Sequence, residues 1–148
     1  MNESPIPKPP ASERRPRVLI SNRQDLDVDE AALSALAERT LLAEGRESGE
    51  LSVSFVTRKE MSQLHKQYAG QAGPTDVLSF PLDEEGLLGD VIVCPDEAQR
   101  NNPDDSVGEV RLLIVHGILH LLGYEHEEEE DRQVMWGKQE MYAGVRSP

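Results

Sequence analysis

A single cysteine in 148 residues excludes any internal disulfide, and Cys94, closing an apolar run, reads as a small buried hydrophobe rather than a ligand. No stretch approaches the roughly 18 consecutive apolar residues of a membrane-spanning helix. The amino-terminal MNESPIPKPPASERRPR has no apolar segment and so no secretory signal. These absences point to a cytoplasmic protein with no membrane partner. Positive charge is scarce too: 15 Lys and Arg stand against 28 Asp and Glu, for a net charge of −13. The first seventeen residues carry +2 of that sum and leave −15 on the remainder, the reverse of a general nucleic-acid binder's basic footprint. A polyanionic substrate must therefore be held by a local groove and whatever cation sits there. The length suffices for a core that needs neither a disulfide nor a structural metal, so a bound metal is available for chemistry.

Along the chain, residues 1–16 hold five prolines and little apolar content, which predicts a disordered tail ahead of one domain over 17–148. Val18-Leu-Ile20 begins a strand. Asp27-Val-Asp-Glu30 has capping-box form and opens a helix running to Gly45. Leu51, Val53 and Phe55 alternate with serines as a half-buried strand, and Thr57-Arg-Lys-Glu60 caps a short helix towards Tyr68. Ala69 to Asp76 is a loop, Val77 to Pro81 a third strand, and Leu87 to Cys94 a fourth that forms a hairpin with it. A short helix follows from Pro95. A buried helix then starts near Gly108, apolar on nearly every side, and a last helix spans about Glu127 to Tyr142, its first turn rich in carboxylates that face the positive end of the helix dipole. No internal repeat is present. The expected fold class is α+β, a mixed four-stranded sheet packed by several helices around a central helix carrying an HxxxH pattern.

That pattern lies in His116-Gly-Ile-Leu-His120-Leu-Leu-Gly123-Tyr-Glu-His126, which gathers three of the four histidines into eleven residues. Helical positions four apart differ by about 40°, so His116 and His120 aim at one place. A third ligand needs the chain to turn back, and Gly123 stands where a left-handed residue could deliver His126. Three neutral imidazoles suit zinc best and also accommodate nickel, cobalt or copper. Three protein ligands leave a coordination position open, the mark of a catalytic site. The spacing is that of metzincin proteases, which place a general-base glutamate directly after the first histidine. Here Gly117 takes that place, so the site reads as a hydrolytic metal centre that is not a protease. Glycine inside a helix costs about 1 kcal/mol relative to alanine, which suggests that bulk beside the metal would obstruct something.

The strings Pro74-Thr-Asp-Val-Leu-Ser-Phe-Pro81 and Leu88-Gly-Asp-Val-Ile-Val-Cys94, followed by the histidine stretch, resemble the YbeY family of bacterial endoribonucleases over most of residues 18–142. The resemblance implies zinc-dependent, single-strand-specific RNA cleavage in ribosomal RNA maturation, chiefly at the small-subunit 3′ end, and in ribosome quality control. It implies single-stranded RNA and the ribosome or its small subunit as partners. His116, His120 and His126 match the family's three zinc ligands, and Glu125 replaces the usual aspartate before the last. The family's functionally important arginine falls at Ala69, in Tyr68-Ala69-Gly70, and His65 stands where asparagine is common. Lys66, Arg111, Arg58, Lys59 and Arg100 are candidates to supply the missing phosphate contact; Asp76 and Glu125 are the carboxylates nearest the motifs, as bases or as groups that orient a ligand. Two rivals to the family reading are a different zinc hydrolase and a non-enzymatic ribosome-assembly factor whose zinc holds the fold, the latter favoured by Ala69.

Overall fold

The computed structural model describes residues 15–145, so nearly all of the expected amino-terminal tail lies outside the described residues. Four strands, β1 (Arg17–Asn22), β2 (Glu50–Phe55), β3 (Val77–Glu84) and β4 (Leu87–Val93), join in the order β1-β2-β4-β3. β1 and β2 are parallel, as are β2 and β4, whereas β3 returns antiparallel along β4. The sheet is mixed and four-stranded, with the β3–β4 hairpin, as the sequence predicts. β3 runs further than expected, to Glu84, because its pairing resumes at Glu84 and Leu87 after a register shift beyond Pro81.

Five helices complete the α+β architecture: α1 (Glu30–Ala43), α2 (Arg58–Ala69), α3 (Pro95–Asn101), α4 (Ser106–Leu121) and α5 (Glu129–Ala143). Three helix starts correct the sequence expectation. At α1 the cap is Asp29, which accepts from the Ala32 amide at 3.1 Å, not Asp27. α4 begins two residues before Gly108, because Asp105 accepts from the Gly108 amide at 2.9 Å and satisfies an otherwise orphaned donor. α5 begins at Glu129 rather than Glu127, and Glu129, Glu130 and Asp131 fill its first turn. Thr57 caps α2 as expected, accepting from Glu60 N at 3.1 Å.

The alternation of β2 buries Leu51, Val53 and Phe55. With Val91 and Val93 of β4 they pack against α1 and against Ile114, Val115 and Ile118 of α4. The opposite parity of β4 sends Ile92 outward to a second cluster with Cys94, Val56 and Met61, closed by Leu64 of α2. Cys94 is fully buried, as the sequence suggests, and burial pushes its thiol pKa up. β4 is therefore covered on both faces, and α4 lies across the sheet with its side chains buried on almost every side.

Gly117 is where α4 meets the sheet. A Cβ there would stand 2.6 Å from Val91 Cγ1 and 3.1 Å from Ser79 Oγ. The Ser79 hydroxyl donates to the Gly117 carbonyl at 3.0 Å. The glycine thus lets the helix seat at backbone distance on β3 and β4. The obstruction its absence would cause comes from β4 rather than from crowding at the metal.

Candidate metal centre

The close seating of α4 fixes the first two candidate ligands. His116 and His120 leave consecutive turns with ring centroids 4.6 Å apart. After Leu121 the chain adopts φ +98° at Gly123, a left-handed conformation that glycine takes without strain. The Gly123 amide donates to the His120 carbonyl and the Tyr124 amide to the Leu119 carbonyl, both at 3.0 Å, so the helix ends and the chain reverses. His126 is delivered to 4.9 Å from the His120 ring and 5.7 Å from His116. One ligating atom from each of the three lies within 4.8 Å of the others, close enough to share one ion. The sequence-expected triad is assembled, and it is the one such cluster found among the described residues.

The donor chemistry fits a metal as well as the distances do. His116 Nδ1 meets Gln139 Oε1 at 2.8 Å. Since a carboxamide oxygen only accepts, Nδ1 carries the proton and Nε2 keeps its lone pair for an ion. Burial lowers the His116 pKa, against the opposing pull of Gln139, and burial followed by repulsion from His126 lowers that of His120. Both shifts favour the neutral, ligating imidazole. Trp136 of α5 stands edge-on to His116 and His126, at 5.9 and 5.8 Å. The sequence gave no sign of Gln139, a 6%-exposed amide on a separate helix.

Two clefts meet at the ligands. One, of about 420 Å³, is lined by all three histidines with Asp76 and residues Val77, Ser79 and Pro81 of the β3 edge. The other, of about 380 Å³, lies on the far side of His116 and His126 and adds Glu109, Leu112, Trp136 and Gln139. Asp76 lines both. Its Oδ2 accepts from Asn101 Nδ2 at 3.0 Å.

The other candidates fall elsewhere. Glu125 is exposed and lines neither cleft. Arg111 donates from Nε to the Ala143 carbonyl at 2.9 Å, tying α4 to α5. Arg58 pairs with Glu97 at 2.5 Å, and Arg100 reaches Asp96 at 3.9 Å. Lys59, Lys66 and Ala69 are exposed on α2. His65 Nδ1 lies 3.0 Å from the Gly73 carbonyl and holds the loop after α2. Among the described residues no lysine or arginine lines either cleft.

A clamp that the sequence does not advertise secures the ligand loop. Glu44, just past α1, has a side chain only 7% exposed. It accepts from the Tyr124 hydroxyl at 2.5 Å, from Lys138 Nζ at 2.8 Å and from the Tyr142 hydroxyl. Burial alone pushes the Glu44 carboxyl pKa up, but the bonds from Lys138, Tyr124 and Tyr142 outweigh it and hold the group below its ordinary value. A depressed carboxyl stabilises the fold above its unfolded pKa and loses that contribution as pH falls through the folded value. Glu44→Gln is expected to cost roughly 2 kcal/mol at pH 7, the weight of a hydrogen bond to a charged group. The gap from wild type in urea unfolding should be full above the ordinary value of 4.5 and close below it; a gap that does not change with pH would refute the clamp.

Comparisons with known proteins agree with this arrangement. The family described as "Endoribonuclease YbeY" matches residues 19–144. A Streptomyces griseus protein of that name is 40% identical, covering 81% of this chain and 84% of the relative. One from Nocardioides sp. is 45% identical over 62% of this chain and 70% of its own length. The solution structure of a Thermotoga maritima protein superposes with a TM-score of 0.57 at 31% identity, covering 86% of each chain. With the match running from β1 through the histidine triad to the end of α5, the chain belongs to the YbeY family of endoribonucleases.

Proposed function

We propose that this protein is a zinc-dependent endoribonuclease that cuts single-stranded ribosomal RNA during maturation, chiefly at the small-subunit 3′ end, and serves ribosome quality control. The observation that carries the reading is the convergence of His116, His120 and His126 at the meeting point of two open clefts. Family membership supports an RNA substrate, and the resemblance of the motifs supports the ribosome or its small subunit as partner. No helix among the described residues is long and apolar enough to cross a membrane, and the proposed place of action is the cytoplasm.

His116, His120 and His126 would hold the ion through neutral imidazoles, which leave its full charge in place. Zinc bound there would act as a Lewis acid on the scissile phosphate and lower the pKa of coordinated water. The chain's own part is positioning. Gln139 fixes the His116 tautomer, and Asp76 lines both clefts, where its carboxylate would take up a proton released by a nucleophile. The 2′-hydroxyl or a water can serve as that nucleophile in this geometry. The single-strand preference suits an open cleft beside the β3 edge, where a splayed backbone can lie. Gly117 stands where the proteases of this spacing carry their base, so peptide hydrolysis is not expected.

The test is a chelator titration followed at once by circular dichroism and by cleavage of single-stranded RNA. Cleavage should vanish while the helical signal persists, and return on zinc addition. Loss of both together would instead support a non-enzymatic assembly factor in which zinc holds the fold, the rival that Ala69 favours.

A further inference from the structure

Glu109 is a buried carboxyl with a missing partner. It is 6% exposed, and its Oε1 has no hydrogen-bond partner in the structure. Leaving a buried polar atom unpaired is costly, so such an atom calls for a role. Burial pushes the Glu109 pKa up, and Asp76 and Asp105 add to the rise, while Asn101 opposes it. Glu109 lies seven residues before His116 on α4, hence on nearly the same face of the helix. The side chain lines the second cleft beside Asp76, His116, Trp136 and Gln139.

General-base action on a nucleophile at the ion does not fit this position. Seven residues of helix rise about 10 Å, which takes Glu109 beyond hydrogen-bond reach of groups at the imidazoles. The cleft itself has the make-up of a base pocket. Trp136 supplies an aromatic wall, Leu112 and Leu113 an apolar one, and the volume of about 380 Å³ is in the range of small-ligand sites. At the polar end, Glu109 and Asp76 offer acceptors, and Gln139, its oxygen committed to His116, has its amide hydrogens left to give. Among the described residues no lysine or arginine lines this cleft, so away from the histidines it does not suit a phosphate.

Resting on the endoribonuclease reading, we infer that this second cleft is a subsite for one unpaired base bearing an exocyclic amino group, next to the cleavage point, with Glu109 accepting from that group. Adenine N6 and cytosine N4 each carry two hydrogens, enough to serve both Glu109 and Asp76. Uracil presents a carbonyl at the corresponding place, and its lone pairs would face the two carboxyls. With Glu109 ionised, the subsite therefore prefers adenine or cytosine to uracil.

Trp136, the single tryptophan of the chain, reports occupancy directly. The full-length, zinc-loaded protein is titrated with adenosine, cytidine and uridine while Trp136 fluorescence is followed. Adenosine and cytidine should quench saturably, with midpoints at least about tenfold below that of uridine, the weight of one hydrogen bond to a charged group. Glu109→Leu should bring the three midpoints together. If that variant loses its native circular dichroism, Glu109→Gln carries the test through its reduced discrimination. Equal midpoints in the wild type, or discrimination intact in a folded Glu109 variant, would overturn the assignment. Nucleosides have no phosphodiester, so the outcome is separate from that of the cleavage assay. Discrimination without RNA cleavage would sink the nuclease reading and leave the subsite; cleavage without discrimination would do the opposite.

Discussion

Replacing His120 by alanine is expected to lower cleavage of single-stranded RNA by about a thousandfold, with the fold intact. A Lewis acid contributes several kcal/mol of stabilisation to a transition state in which negative charge develops, and each 1.36 kcal/mol is about tenfold in rate. His120 holds the central place in the triad, 4.6 Å from the His116 ring and 4.9 Å from that of His126. Its removal leaves two donors that do not face each other as closely. The core beneath is built from Ile114, Val115 and Ile118, all fully buried and untouched by the change. Metal content of the purified variant, measured beside its unfolding midpoint, checks the cause: about one ion per chain should fall towards none while the midpoint holds. Residual cleavage within tenfold of wild type would remove the triad from the reaction.

The second large effect runs the other way. Ala69→Arg is expected to raise metal-dependent cleavage by about tenfold, since a hydrogen bond to a charged group is worth roughly 1.5 to 3 kcal/mol. Among the described residues neither cleft is lined by a lysine or arginine, so on the proposed mechanism phosphate capture would fall to the metal alone in a chain of net charge −13. Ala69 ends α2 and is exposed, so a larger side chain meets no core. The preceding Tyr68 packs on Phe80 at 5.0 Å, which sets the end of α2 beside β3, the strand that edges the ligand cleft. The gain should shrink at high salt, as screening weakens the new contact, and should disappear when combined with His120→Ala. An unchanged rate would mean that another cation already serves, and Lys66→Ala would be the next comparison.

What was legible in the sequence was whatever a short window encodes. Four strands, five helices and the β3–β4 hairpin follow from alternation, capping residues and turn residues, and the triad follows from helical spacing plus one glycine. The start of α1 slipped by two residues because two acids, Asp27 and Asp29, competed to cap it. The features that were hidden all depend on pairs far apart in the chain. Glu44 binds Tyr124, Lys138 and Tyr142 across 80 to 98 residues, and Gln139 reaches His116 across 23. Gly117 was visible as an anomaly, but its cause, Val91 on a neighbouring strand, was not. Glu109 did carry a local signal: seven residues before a ligand, it returns to the same helical face.

The three histidines stand on unequal supports, and this would set the order in which an ion held by them comes and goes. His116 and His120 are rooted in a helix whose seating on β3 and β4 admits no side chain at Gly117, so they move only if the core opens. His126 rides a reversal stitched down at Tyr124 by Glu44. An ion held there would be expected to leave through release of His126 first, with the helical pair keeping a two-point hold. The residence time of such an ion would then be set by a hydrogen-bond cluster that includes none of the three histidines.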